Sequence, residues 1–159
     1  MKFSSITPLL AAAAASAAPL DPVIRPMVPI DVFNVTGFQA YSVPHSSWSY
    51  TRFNISVTTI SPATLCSAET LSYQHVGDIT QTNCTEPSIS FNLTRTSDNG
   101  AKLDIFWILA EPGLLQGTYL IPGDQFVNSG VATSVHEDYI GSKSFSISNL
   151  TLVHSIWGN

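Results

Sequence analysis

Charge is scarce in this 159-residue chain: Asp, Glu, Lys and Arg make up only 11% of it, against about 25% in a typical soluble domain. Cations are rarest, with six Lys+Arg facing eleven Asp+Glu for a net charge of -5. No basic surface exists to neutralise phosphates, the term that dominates nucleic-acid affinity, so nucleic-acid binding is excluded. Common catalytic signatures are missing too: there is no G-x-S-x-G, no H-E-x-x-H and no Gly-rich phosphate loop. Helical patterning is absent past residue 30, where no stretch sets apolar residues at i, i+3, i+4 and i+7 among good helix formers.

The chain does have 44% hydrophobic and 10% aromatic residues. That composition folds, because disordered chains combine low hydrophobicity with high charge. Hydroxyls replace the missing charge, with 21 Ser and 15 Thr. Ser and Thr serve the wet face of a β-sheet and tolerate glycans, so solubility need not rest on ionised groups.

A positive start at Lys2, an apolar stretch from Phe3 to Leu10 and an Ala-rich run ending at Pro19 read as a secretory signal peptide over residues 1–17. The small residues Ala15 and Ala17 flank Ser16 and satisfy the cleavage rule. A membrane span needs about 20 apolar residues, and neither this run nor any later one supplies them. The C-terminal residues are too short for a lipid-anchor signal. Residues 18–29 hold four prolines and suit an extended lead-in. Residues 30–159 are then one domain, soluble, secreted and extracellular.

In an oxidising compartment, Cys66 and Cys84 most economically form one disulfide closing a loop of about 18 residues. A metal pair and a reactive thiol are the alternatives, weakened by the lack of CxxC spacing and of any His nearer than His75. Five N-x-S/T sequons occur, at Asn34, Asn54, Asn83, Asn92 and Asn149; each requires a solvent-facing side chain to accept a glycan.

Six or seven short runs rich in Val, Ile, Phe, Tyr, Trp and Thr, separated by Gly, Pro and Asn, predict strands. In Trp48 to Ile60, Phe53, Ile55 and Val57 alternate with Asn54, Ser56 and Thr58. Ser88 to Thr96 alternates Ile89, Phe91 and Leu93 with Ser90, Asn92 and Thr94. Both sequons fall on the polar phase. Two segments slip phase by one residue, Asp31 to Tyr41 across Thr36-Gly37 and Phe145 to Val153 across Ser148-Asn149, which reads as a pair of bulges. Leu103 to Ala110 is apolar on both faces after Asp104 and predicts a central strand covered on two sides. Asp98-Asn99-Gly100, Glu111-Pro112-Gly113 and Ile121-Pro122-Gly123-Asp124 supply tight connections. The expected fold is all-β, a single antiparallel β-barrel or curled β-sandwich with little helix outside the signal peptide.

The densest polar cluster is His136-Glu137-Asp138. On a strand His136 and Asp138 share a side and Glu137 does not, so a metal-dependent or acid-base hydrolase site would need a third group such as His45, His75 or His154. The competing reading is a charged surface loop. Tyr73-Gln74-His75 lies inside the disulfide loop and should be exposed. Trp48, Tyr50, Trp107, Tyr119 and Trp157 either line a pocket inside a small barrel or fill its core.

Ile30-Asp-Val-Phe-Asn-Val35, Phe53-Asn-Ile55, Thr64-Leu-Cys-Ser-Ala68, Cys84 and Ser88-Ile-Ser-Phe-Asn-Leu93 together resemble the fungal secreted allergen-one-like family, typified by the major Alternaria allergen. The Ala-rich leader ending in Ala-Pro is similar to filamentous-fungal leaders. In that family the corresponding cysteines form an intrachain disulfide. A second disulfide and an inter-chain cysteine, common there, have no counterpart here, which leaves a monomer or a non-covalent dimer. The resemblance implies a β-barrel without known enzymatic activity, with no catalytic residue, metal or cofactor, whose relatives are allergens or effectors. Partners so implied are a host defence protein or a small phenolic ligand, with neither nucleic acid nor membrane. The function expected is binding of a host or cell-wall partner. Alternatives are a carrier of small hydrophobic or phenolic ligands with a lipocalin-like interior and a structural cell-wall protein.

Overall fold

The computed structural model describes residues 32–57, 62–109 and 113–153. Eleven strands run through them: β1 Phe33–Ser42, β2 Trp48–Ser56, β3 Thr64–Leu71, β4 Ile79–Asn83, β5 Ile89–Arg95, β6 Ala101–Leu109, β7 Gly113–Ile121, β8 Phe126–Ser129, β9 His136–Tyr139, β10 Ser144–Ile147 and β11 Leu150–Val153. Among the described residues the only helical pieces are two 3₁₀ turns, Gly123–Gln125 and Ala132–Ser134. The signal peptide and the proline-rich lead-in lie outside the described residues.

The strands form two antiparallel sheets. One has the order β3-β2-β1-β9-β8, with β10 also pairing β1; the other has the order β11-β7-β6-β5-β4. The all-β expectation holds, in its curled, two-sheet form. Their inner faces meet in a core of Phe33, Phe38, Phe53, Phe91, Ile55, Leu93, Leu103 and Ile105, each essentially inaccessible to solvent. Aromatic rings carry much of the contact: Phe38 lies 5.8 Å from Phe53, 4.9 Å from Tyr139 and 5.6 Å from Phe145, and Phe53 lies 5.0 Å from Phe91. Tyr119 of β7 stacks on Phe145 of β10 at 3.9 Å and joins the sheets at one side.

The bulge expected at Thr36-Gly37 is present. Pairing of β1 with β2 shifts register between Thr36 and Gln39, and Gly37 adopts φ +64°, a region that costs a side chain but not glycine. The slip keeps Phe33 and Val35 inward before the bulge and Phe38 and Ala40 inward after it. It also divides the far edge of β1, which pairs with β10 from Phe33 to Thr36 and with β9 at Tyr41.

The slip at Ser148-Asn149 has a different origin. No bulged strand spans Phe145 to Val153: β10 ends at Ile147 in one sheet and β11 begins at Leu150 in the other, paired with β7. The phase changes because the chain changes sheets. Gly117 of β7 sits at this crossing, where an added Cβ would lie 2.9 Å from Phe33 and Leu150.

β6 is central, as expected, but only one of its faces is covered. Ile108 is 59% exposed, and Asp104 is buried by polar partners instead of a packed layer. Asp104 accepts from Thr118 Oγ1 at 2.6 Å, pairs with Lys102 Nζ at 2.8 Å and receives Gln116 Nε2 at 3.4 Å. Burial alone would raise the Asp104 carboxyl; the Lys102 and Thr118 bonds, the Lys102 charge and the Gln116 bond outweigh it and hold the group below the ordinary carboxylate range. In the β5–β6 turn, Asn99 takes φ +63° and the Thr96 N–H donates to the Gly100 carbonyl at 3.0 Å. The Ile121 to Asp124 connection carries the first 3₁₀ turn. Glu111 and Pro112 of the third connection lie outside the described residues.

Cys66 on β3 and Cys84 just after β4 form a disulfide. It ties the edge strand of one sheet to the edge strand of the other, beside a single backbone bond from Thr85 N–H to the Leu65 carbonyl at 2.8 Å. The Cys66→Ala/Cys84→Ala variant is expected to lose about 3 kcal/mol, the chain-entropy value for a loop of this length. Urea unfolding of the variant against the oxidised protein measures it; equal midpoints would show that the edge contacts alone hold this side.

Candidate binding face

The residues between the sheets are chiefly apolar, so chemistry-bearing groups collect on the outer faces. Alternation along β2 turns Ser49, Thr51, Phe53 and Ile55 inward and Trp48, Tyr50, Arg52 and Asn54 outward. Cross-strand register then aligns outward residues from five strands. Val127 faces Asp138, Asp138 faces Tyr41, Tyr41 faces Tyr50 and Tyr50 faces Glu69. Strands sit about 4.8 Å apart, so this row crosses roughly 19 Å of sheet.

The row has internal structure. Tyr41 and Tyr50 stack at 5.6 Å, and Tyr41 and Trp48 are 38% and 40% exposed. Partial burial, the adjacent Glu69 charge and a hydrogen bond to Glu69 push the Tyr50 phenol up, with a smaller contribution from Tyr41. Tyr50 therefore stays a neutral donor to that carboxylate. Arg52 and Ser67 form the neighbouring paired positions on one side, and Trp48 and Leu71 pair on the other. A groove of about 550 Å³ runs along the face, lined by Tyr41, Tyr50, Arg52, Leu65, Ser67 and Glu69 among others.

The His136-Glu137-Asp138 cluster is strand β9, and this replaces the surface-loop reading. His136 and Asp138 share the outer side: Nε2 lies 3.2 Å from Asp138 Oδ2, and Nδ1 lies 2.9 Å from the Ser134 carbonyl. Glu137 turns inward and is 4% exposed. Its Oε2 accepts from the Val76 N–H at 2.7 Å and its Oε1 from Arg95 Nη2 at 3.0 Å, while its own N–H donates to Ser42 Oγ at 2.7 Å. The Arg95 guanidinium lies 4.1 Å over the Phe126 ring and also donates to the Asn99 carbonyl at 2.7 Å. Neither His45 nor His75 completes a ligand set with His136 and Asp138, since among the described residues no group of three His, Cys, Asp or Glu side chains is placed to hold a metal ion. His154 lies outside the described residues. Tyr73 and His75 are exposed, as expected.

The five aromatic residues do not converge on one interior pocket. Trp48 and Tyr50 are on the outer face, Trp107 and Tyr119 pack half-buried against the core, and Trp157 lies outside the described residues. A smaller cleft of about 320 Å³ opens at the rim, where Ile55, Ile89, Trp107, Thr64 and Glu86 meet.

The sequons differ in access. Asn54, Asn83 and Asn149 are exposed. Asn34 is half-buried and accepts from Ser146 Oγ at 2.7 Å. Asn92 is half-buried, with its Oδ1 shielded from water and unpartnered. Glycopeptide mapping of the chain expressed through a eukaryotic secretory pathway is expected to find Asn54, Asn83 and Asn149 occupied and Asn92 bare; a fully occupied Asn92 would contradict this ordering.

The sequence had marked Trp48 and Tyr50, but not Tyr41, Arg52, Glu69 or Val127. Their outward phase is readable from alternation, whereas their assembly into one row depends on register between strands far apart in sequence. What emerges is an all-β, two-sheet protein with an inter-sheet disulfide, a packed interior and an aromatic, charged outer face.

No protein-family model matches the chain, and no curated protein matches it. Its fold is similar to that of the Alternaria alternata major allergen Alt a 1. One crystal structure of that allergen aligns with a TM-score of 0.54 at 16% identity, covering 77% of this chain and 94% of the allergen. Another aligns with a TM-score of 0.54 at 15% identity, covering 82% and 97%. At such identity the likeness is one of fold, and it is the fold that the sequence resemblance implied.

Proposed function

We propose that this chain is a secreted, non-enzymatic binding protein of the allergen type, acting on a host or cell-wall partner through the outer face of the β3-β2-β1-β9-β8 sheet. The observation that carries this reading is the five-strand row of solvent-facing Val127, Asp138, Tyr41, Tyr50 and Glu69 beside exposed Trp48. Exposed aromatics next to charged groups are the residue types that anchor recognition, and the fold similarity to an allergen agrees with a binding role. Immobilised protein is expected to retain a component of host apoplastic fluid or of wall extracts, and the Trp48→Ala/Tyr41→Ala variant to lose at least tenfold in affinity at an unchanged melting temperature. Failure of the unmodified protein to retain any component would overturn the reading.

The rim cleft supports a second reading, carriage of a small phenolic or hydrophobic ligand against Ile55, Ile89 and Trp107. Flavonoids or fatty acids would then quench tryptophan emission, and Ile89→Asp would abolish the effect. No quenching by either class would sink it.

A further inference from the structure

We infer that the ligand of this face is an extended, neutral polysaccharide chain. This deepens the binding reading above and rests on it. The inference comes from where charge sits among the aromatic rings.

Protein interfaces deplete charged residues from their centre and keep them at the rim. Here Asp138 and Glu69 flank the Tyr41–Tyr50 stack within a single row, and Arg52 lies two residues along β2 from Tyr50, on the same side. A protein partner would have to desolvate these groups and supply a matched counter-charge for each of them. A sugar chain would not, because its hydroxyls donate to carboxylates and accept from a guanidinium while its ring C–H faces lie on aromatic planes. Charge-assisted hydrogen bonds of this kind are stronger than neutral ones.

Charge balance points the same way. Arg52 stands two residues along β2 from Tyr50 with Glu69 and Asp138 in the adjoining row, so the face carries both signs close together and offers no single-sign field to an anionic or cationic polymer. Shape selects an extended chain. The groove of about 550 Å³ is lined chiefly by outward residues of β1, β2 and β3, together with Thr51 and Ala68, on the open side of a sheet. Trp48 and Tyr50, two apart on β2, present aromatic groups about 6.6 Å apart along the strand, with Tyr41 beside Tyr50 across it.

The test is affinity electrophoresis and calorimetry of the secreted protein with soluble β-1,3-glucan, cello-oligosaccharides and chito-oligosaccharides. At least one is expected to retard or titrate the protein. Trp48→Ala and Tyr41→Ala should each weaken that binding at least tenfold, Glu69→Gln about threefold, and Ile108→Ala on the opposite sheet not at all. No binding to any of the three, or binding indifferent to Trp48 and Tyr41, would overturn the inference. Capture of a partner from glycosidase-treated extract, lost on protease treatment and dependent on Tyr41, would also overturn it while leaving the binding reading intact. So would Tyr41-dependent binding of a proline-rich peptide in place of the sugars. If neither sugars nor extract components bind, both readings fail.

Discussion

Glu137→Ala is expected to cost about 3–5 kcal/mol in urea unfolding, the range for removing one partner of a buried ion pair. The side chain is 4% exposed and holds two groups from elsewhere in the fold: the Val76 N–H and the Arg95 guanidinium of β5. Truncation strands a buried amide and leaves Arg95, at 19% side-chain exposure, without its counter-charge inside a low-dielectric rim. Arg95 Nη1 already lacks a partner, so the cation has little to fall back on except Phe126 and the Asn99 carbonyl. Glu137→Gln keeps an acceptor for the Val76 amide and should cost less than Glu137→Ala. The double variant Arg95→Met/Glu137→Leu is expected to recover part of the loss, because an apolar pair of similar volume needs no desolvation of charge. A loss below about 1 kcal/mol for Glu137→Ala, the scale of an exposed pair, would mean that water reaches the site.

Phe38→Ala should destabilise by about 3–5 kcal/mol, the usual range for deleting a buried phenyl ring. Phe38 is fully buried and contacts Phe53, Tyr139 and Phe145, rings carried by three other strands. Its position follows from the bulge: Gly37 at φ +64° turns Phe38 inward where a regular strand would turn it to solvent. Gly37→Val should therefore destabilise as well, by straining the backbone that aims the ring. Equilibrium unfolding of both variants, with near-ultraviolet circular dichroism to report aromatic packing, checks the pair. A Phe38→Ala protein with native unfolding free energy would show that the core closes over the gap.

Much of the fold was legible locally. Alternation in Trp48 to Ser56 and Ile89 to Arg95 names the buried faces correctly, because a strand's period of two is a property of the backbone alone. The bulge at Thr36-Gly37 was legible for the same reason, since a slipped phase with a glycine has few other solutions. The identical signal at Ser148-Asn149 misled, because a one-residue slip within a strand and a passage between sheets leave the same trace. The apolar run of β6 suggested cover on both faces, yet Ile108 stands exposed and Asp104 is buried by Lys102, Thr118 and Gln116. Apolar residues on an outer face are common, since polar surface is insufficient to cover a protein.

The candidate face was half legible. Trp48 and Tyr50 stood out by type, and His136 and Asp138 by spacing. Glu137 looked like one more exposed charge, and its partners Arg95 and Val76, 42 and 61 residues away in sequence, explain its burial.

The sequence by itself determined the all-β character, the outward phase of β2 and β5, the bulge in β1 and the single cysteine pair, because these depend on residue type and on contacts between near neighbours. Tertiary structure alone decided that Cys66 and Cys84 join opposite sheets, that β10 and β11 part company, and that Val127, Asp138, Tyr41, Tyr50 and Glu69 fall into one row. Those outcomes depend on register between strands separated by tens of residues. Register is set by the packing of whole faces against each other, which no local stretch of chain encodes.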